Sequence, residues 1–133
     1  MNELEIIQKV KDTLIKAGST FKVDKKNAYR KAIDLENSDK AKWVLSTILE
    51  NAEVAEKNHS PLCDDSGIPH VLLEIGPNKA ITGNMLEAIK EGIAQGLRAL
   101  PGRPMGIMGD DSHRIDQSGG LNQDSAGVEM API

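Results

Sequence analysis

Hydrophobic residues recur at helical spacing along the first part of the chain. They predict an amphipathic helix over residues 3–17, with Gly18 as its stop. A second, shorter helix is expected from Asp24, a candidate N-cap, to about Leu35. The apolar positions of the first helix are Leu4, Ile7, Val10 and Leu14.

A third helix is expected from an N-cap at Ser38 to about Asn58, where Pro61 closes the helical pattern. Trp43 is most simply a packing residue of this helix. Its apolar stripe consists of Leu45, Ile48, Leu49, Ala52 and Ala55.

A fourth helix is predicted over residues 83–99, because apolar residues return every four positions there. Gly92 and Gly96 share one face of it, a spacing that could admit another backbone closely, although such a spacing is often incidental. The apolar positions are Met85, Ile89, Ile93 and Leu97.

Strand-like segments follow the first three helices. Between Pro69 and Gly76 an apolar run at 71–75 has the length of a strand, and residues 128–133 alternate like a half-buried strand. Residues 101–125 could hold a short strand at 105–108, or they could form a long loop. The predicted fold class is therefore α+β (mixed), with N-terminal helices followed by strands with a packed helix.

A strand-like segment at the very end of the chain has no following neighbour to pair with. Residues 1–133 are therefore expected to be a truncated, partial domain of a larger catalytic unit, with a native C-terminal strand as the alternative.

The amino-acid composition argues against two classes of binding partner, nucleic acids and membranes. Aromatic residues make up 2% of the chain, the net charge is −4 and no stripe of Lys or Arg is present. Stacking on single-stranded nucleic acid and binding to anionic membranes are therefore not expected. A single cysteine and an N-terminus without a basic-then-apolar leader favour a cytoplasmic protein that does not cross a membrane.

The densest group of reactive side chains surrounds Cys63, in a small polar segment between a predicted helix and a predicted strand. Cys63 could be a metal ligand, or it could simply be a small buried residue. A nucleophilic role with His59 or His70 is disfavoured, because Asp64 and Asp65 would raise the pKa of the thiol by like-charge repulsion. A metal ion would instead favour the thiolate through its positive charge.

The segment Pro61-Leu62-Cys63-Asp64-Asp65-Ser66-Gly67 resembles the Pro-Ile-Cys-Gln-Asp-Thr-Gly signature of the class I (iron–sulfur) fumarate hydratase and L(+)-tartrate dehydratase alpha-subunit family. The residues at 48–55 are similar to the helix that precedes that signature. The residues at 88–92 and 96–98 are similar to the helix that leads to the family's Leu-Arg motif. Asp64 and Ser66 depart from the signature, since the family usually has Gln and Thr there.

The resemblance implies a hydro-lyase that adds water reversibly across a carbon–carbon double bond of a small dicarboxylic acid, of the fumarate/malate or tartrate type. Family members bind a 4Fe-4S cluster through three cysteines, so Cys63 would be one metal ligand. Asp65 would match the acid beside the substrate hydroxyl, and Asp64 would add a second charge at the substrate-binding site. Arg98 would match the arginine that binds a substrate carboxylate.

The same resemblance implies partners. The catalytic base and the other two cysteines would come from a C-terminal domain or β subunit, and the protein would be a homo-oligomer. Two alternatives remain open: a non-catalytic assembly or binding module derived from this family, and a thiol-dependent enzyme that uses Cys63 directly.

Overall fold

The computed structural model describes residues 2–63 and 69–100, which contain four helices. These are α1 (Glu3–Ser19), α2 (Val23–Leu35), α3 (Asp39–Asn58) and α4 (Gly83–Ala99). The four predicted helices are thus confirmed, with bounds within about two residues of those expected. The connection between residues 69 and 82 has no regular secondary structure apart from one turn.

Side-chain caps fix where three of the helices begin. At α1, Asn2 Oδ1 accepts a hydrogen bond from the Glu5 N–H at 2.9 Å, and Glu5 Oε2 accepts one from the Asn2 N–H at 3.0 Å. This capping box satisfies two donors that the helix itself cannot pair. Ser38 caps α3 through the Ala41 N–H at 3.4 Å, as predicted, and Thr82 caps α4.

The cap predicted for the second helix is wrong. Helix α2 begins at Val23, its N-cap is Lys22, and no side chain caps it. Asp24 lies in the first turn instead, where a negative charge interacts favourably with the helix dipole without acting as a cap.

Helices α1 and α4 pack side by side and run parallel. Asn84 Nδ2 donates to Glu3 Oε1 at 3.0 Å at one end of the pair, and Leu100 packs on Gly18 at the other end. Between the two ends lies the main apolar core. It consists of Ile6, Ala88, Ile89, Ile93 and Leu97, with Ile7, Val10, Leu14 and Met85 packed against it.

Glycine spacing brings the two helices close together. A Cβ atom on Gly92 would lie 2.7 Å from the Ile7 carbonyl oxygen, and one on Gly96 would lie 2.9 Å from Leu14 Cδ2. Neither distance is compatible with an ordinary side chain at those positions. The spacing of Gly92 and Gly96 therefore allows α1 and α4 to pack closely, and it is not incidental.

Helices α2 and α3 form an antiparallel pair that two ion pairs join. Lys26 pairs with Glu56, and Arg30 Nη2 lies 3.3 Å from Glu53 Oε1. No residue of α2 is buried. On α3, Trp43 is 67% exposed, so its interpretation as a packing residue is wrong.

The predicted α+β class is also wrong for the part of the chain that the structure describes. The segment at 71–75 forms no strand, and neither 2–63 nor 69–100 contains one. An apolar run indicates contact with an apolar surface, but a sheet also needs a second backbone at hydrogen-bonding distance. Leu73 and Ile75 instead line an open apolar cleft of about 500 Å³ beside α1 and α4. The strands predicted at 105–108 and 128–133 lie outside the described residues.

Within 2–63 and 69–100, no helix combines the length and the apolar character that a membrane span requires.

Candidate functional site

The site is built at the C-terminal end of α3, where the chain reverses direction. His59 adopts the left-handed conformation, with φ of 52°, and its N–H donates to the Ala55 carbonyl oxygen. The Ser60 N–H donates to the same oxygen at 3.0 Å. A left-handed residue after the last turn is a common way to end a helix, and here it directs residues 60–63 back toward α1.

Two hydrogen bonds then hold the backbone of Leu62 from opposite sides. Its N–H donates to the Gly18 carbonyl oxygen at 2.9 Å, near the C-terminal end of α1. Its own carbonyl oxygen accepts from Asn51 Nδ2 at 3.0 Å, on α3. We call this pair of bonds the Leu62 clamp. Because Cys63 is the next residue, the clamp fixes the backbone from which the thiol projects.

Cys63 is exposed, so the interpretation of this residue as a small buried hydrophobe is wrong. Its neighbours Asp64 and Asp65 lie outside the described residues. Among the residues that are described, no three acidic, cysteine or histidine side chains are grouped so that they could hold a metal ion. Since Cys63 is the only cysteine of the chain, the donor set fits one ligand of an iron–sulfur cluster but not a whole cluster.

Arg98 lies in the last turn of α4, with an exposed side chain. A Cβ atom on Gly18 would lie 2.5 Å from Leu100 Cδ2, so the end of α4 packs directly on Gly18. The same glycine accepts the Leu62 hydrogen bond. The fold therefore brings the Cys63 and Arg98 regions to one end of α1, although 35 positions separate them in the sequence.

A cleft of about 460 Å³, whose surface is mostly apolar, opens at this end of the molecule, between α1, α3 and the end of α4. Carboxylate, ammonium and imidazole groups belong to residues that line it. The Ser19 hydroxyl is buried beside it and has no hydrogen-bond partner among the described residues. The lining residues are Asp12, Ile15, Lys16, Ser19, Thr20, Glu56, His59 and Ala99.

Sequence reasoning did not find Asn51 and Gly18 as parts of this site. A signal existed for Asn51, because asparagine is a poor helix former and stands here in the middle of a long helix. The sequence pattern indicates Gly18 only as a helix stop. The contact that it makes with Leu62 joins residues 44 positions apart, and no local pattern encodes such a contact.

Comparison with known proteins gives consistent matches. A family model described as Fumarate hydratase (Fumerase) matches residues 7–121. The "Putative L(+)-tartrate dehydratase subunit alpha" of Methanocaldococcus jannaschii is 34% identical over 109 residues, which is 80% of this chain and 38% of that protein. The "Putative fumarate hydratase class I" of Geobacillus stearothermophilus is 31% identical over 97 residues, which is 71% of this chain and 18% of that protein. The chain thus spans less than two fifths of the length of these curated relatives.

Proposed function

Because this chain belongs to the fumarate hydratase (Fumerase) family, a family of hydro-lyases, we propose that it forms part of an enzyme that hydrates or dehydrates a small dicarboxylic acid. The reaction is the reversible addition of water across a carbon–carbon double bond, of the fumarate/malate or tartrate type. The observation that carries the proposal is the exposed Cys63, which follows a residue bonded to Gly18 at the end of α1, within a segment that the family model matches.

The residues of this chain would bind and orient the substrate. Arg98 would bind a substrate carboxylate, since a guanidinium group can donate two parallel hydrogen bonds to it. Asp65 would lie beside the substrate hydroxyl. Asp64 would add a negative charge to the substrate-binding site, which would select against substrates with further negative charge.

Cys63 would supply one thiolate ligand to a 4Fe-4S cluster. When bound, such a cluster would supply a Lewis-acidic iron. This chain contains one of the three cysteines needed, so the remaining ligands must come from other polypeptide. We therefore derive no catalytic step from this chain alone.

Partners follow from the length of the relatives. Since this chain spans 38% of one relative and 18% of another, we propose that a C-terminal domain or a β subunit supplies the catalytic base and the missing ligands. The relative from Methanocaldococcus jannaschii is itself named as a subunit alpha. The working enzyme would be a cytoplasmic homo-oligomer of these parts.

A chimera tests the proposal. This chain would replace the matching 109 residues of the Methanocaldococcus jannaschii relative, which would be produced with its own partner subunit. After anaerobic reconstitution with iron and sulfide, we expect thiolate-to-iron charge-transfer absorbance, and turnover of fumarate or L(+)-tartrate. Cys63→Ser should abolish the absorbance, whereas Ser60→Ala should leave it in place. If the unmodified relative binds a cluster and the chimera does not, the proposal fails.

A second function, an assembly or binding module without catalysis, is favoured by one observation: the chain has a single cysteine. The chimera separates the two. A chimera that assembles with the partner subunit but takes up no iron would support the module, while iron uptake that depends on Cys63 would exclude it.

A further inference from the structure

The end of α3 and the residues after it form a connected set of hydrogen bonds that leads to Cys63. The carbonyl oxygen of Ala55 accepts two backbone N–H groups, from His59 and from Ser60. The Leu62 clamp follows, with one bond to α1 and one to α3. The thiol therefore begins one residue beyond a backbone that is attached to two different helices.

One of these hydrogen bonds is made by a side chain. The bond from Asn51 Nδ2 to the Leu62 carbonyl oxygen, at 3.0 Å, spans 11 residues of sequence. The other bonds join backbone groups and would survive most substitutions. The side chain of Asn51 is therefore the replaceable attachment between α3 and the Cys63 backbone.

Asn51 has no core role that would explain its place in the helix. It is exposed, while the interior positions Ala52 and Ala55 of α3 are 0% and 2% exposed. Asparagine also favours helices less than Glu, Lys or Ala, which occupy neighbouring positions. Its contact with Leu62 is the interaction that uses an amide group at this position.

We propose that Asn51 is a positioning residue that holds the Cys63 thiol at the end of α1 through the Leu62 carbonyl. The inference rests on the proposed function in one respect: the ligand whose position matters is Cys63. Asn51 acts through the backbone and does not itself touch the substrate or a cofactor. Without its N–H donor, Leu62 keeps the bond to Gly18 and loses its attachment to α3, so the thiol samples a wider range of positions.

Because Cys63 is the only native cysteine, its position can be measured with paired spin labels in the full chain. A second label would be attached through Leu4→Cys, at an exposed site on α1. Leu4 lies about 21 Å along the helix from Gly18, a span that electron–electron distance measurements resolve. We expect one narrow distance distribution for the parent chain.

Asn51→Asp keeps the shape of the side chain and replaces the N–H donor with an acceptor. We expect its distance distribution to be about twice as broad as that of the parent, with unchanged helix content by circular dichroism. Ser46→Asp, the matched control, adds the same charge to an exposed site on the same helix and should leave the distribution unchanged. Asn51→Ala removes the donor without adding charge and should reproduce the broadening if Asn51→Asp folds poorly.

An unchanged distribution in both Asn51 variants would overturn the inference. The labelled samples contain no iron, so this result does not depend on the proposed function. In the reconstituted chimera, Asn51→Asp should shorten the lifetime of the charge-transfer absorbance under a chelator. If the distance distribution broadens but the lifetime of the charge-transfer absorbance does not change, Asn51 does not position a ligand. If the parent chimera takes up no iron at all, the proposed function fails, while the label result still decides the role of Asn51 in holding the thiol.

Discussion

At the scale of the residue, Gly92 decides how closely α1 and α4 approach. A methyl group there would lie 2.7 Å from the Ile7 carbonyl oxygen and 2.8 Å from Val10 Cβ. The carbonyl belongs to the α1 backbone and cannot move aside alone. Gly92 therefore fixes the helix separation, whereas at Gly96 the nearest atom is the flexible end of Leu14.

Gly92→Ala should destabilise the chain. Overpacking of this kind costs about 1–3 kcal/mol, and the better helix propensity of alanine returns roughly 0.5–1 kcal/mol, so the steric cost prevails. Urea unfolding at neutral pH measures the difference. Gly83→Ala, on the same helix with nothing within 4 Å of the new methyl group, should be neutral or slightly stabilising. Equal unfolding midpoints for the two variants would contradict the close packing described here.

Glu36 gives a second prediction at this scale. The backbone N–H groups of Ser38 and Asn37 donate to its carboxylate at 2.9 and 2.8 Å and hold the pKa of Glu36 below its usual value, with a further contribution from Lys42. A lowered pKa in the folded state stabilises the fold above the unfolded pKa of about 4.3 and loses that effect as pH falls through the folded value. Glu36→Gln cannot titrate. The parent's free energy of unfolding minus that of this variant, measured with urea, should therefore be steady near pH 7. It should fall as the pH drops below about 4.3. A constant difference at every pH would rule this out.

At the scale of the element, helix starts depend on single side chains. Ser38→Ala removes the acceptor for the Ala41 N–H, and such losses cost about 0.5–2 kcal/mol. The 3.4 Å bond is long, so we expect the low end of that range. Thermal unfolding followed by circular dichroism measures the change. Ser46→Ala, in the exposed interior of the same helix, should be neutral or stabilising. A Ser38→Ala variant as stable as the parent would show that the cap contributes nothing.

The elements differ in how far the sequence could predict them. Periodicity and caps are local, so α1, α3 and α4 could be predicted closely, including the cap at Ser38. The strand expected at 71–75 failed because pairing needs a second segment, which periodicity cannot supply. The exposure of Cys63 and the Leu62 clamp could not be predicted from local patterns either. The clamp depends on contacts between residues 18, 51 and 62, which are distant in sequence.

At the scale of the whole molecule, the two helix pairs differ in how much apolar surface they bury. The α1–α4 pair buries an apolar core around Ile93, which is 1% exposed. The α2–α3 pair is joined by Lys26–Glu56 and Arg30–Glu53, and α2 buries no residue. Apolar burial stabilises more than an exposed ion pair such as Arg30–Glu53 does. The candidate site lies where α3 meets α1, and α2 reaches its edge through the Lys26–Glu56 ion pair.

Hydrogen exchange should therefore reveal unequal stability within the chain. We expect amides in the centre of α4 to exchange slowest and amides in α2 to exchange faster by on the order of tenfold or more, because α2 buries no residue of its own. Added salt should widen the gap, since it weakens the Arg30–Glu53 pair and leaves apolar burial intact. Mass spectrometry of peptides from each helix measures the rates. If α2 and α4 exchange at one common rate in both low and high salt, the chain opens as a single unit and the division into two differently held pairs is wrong.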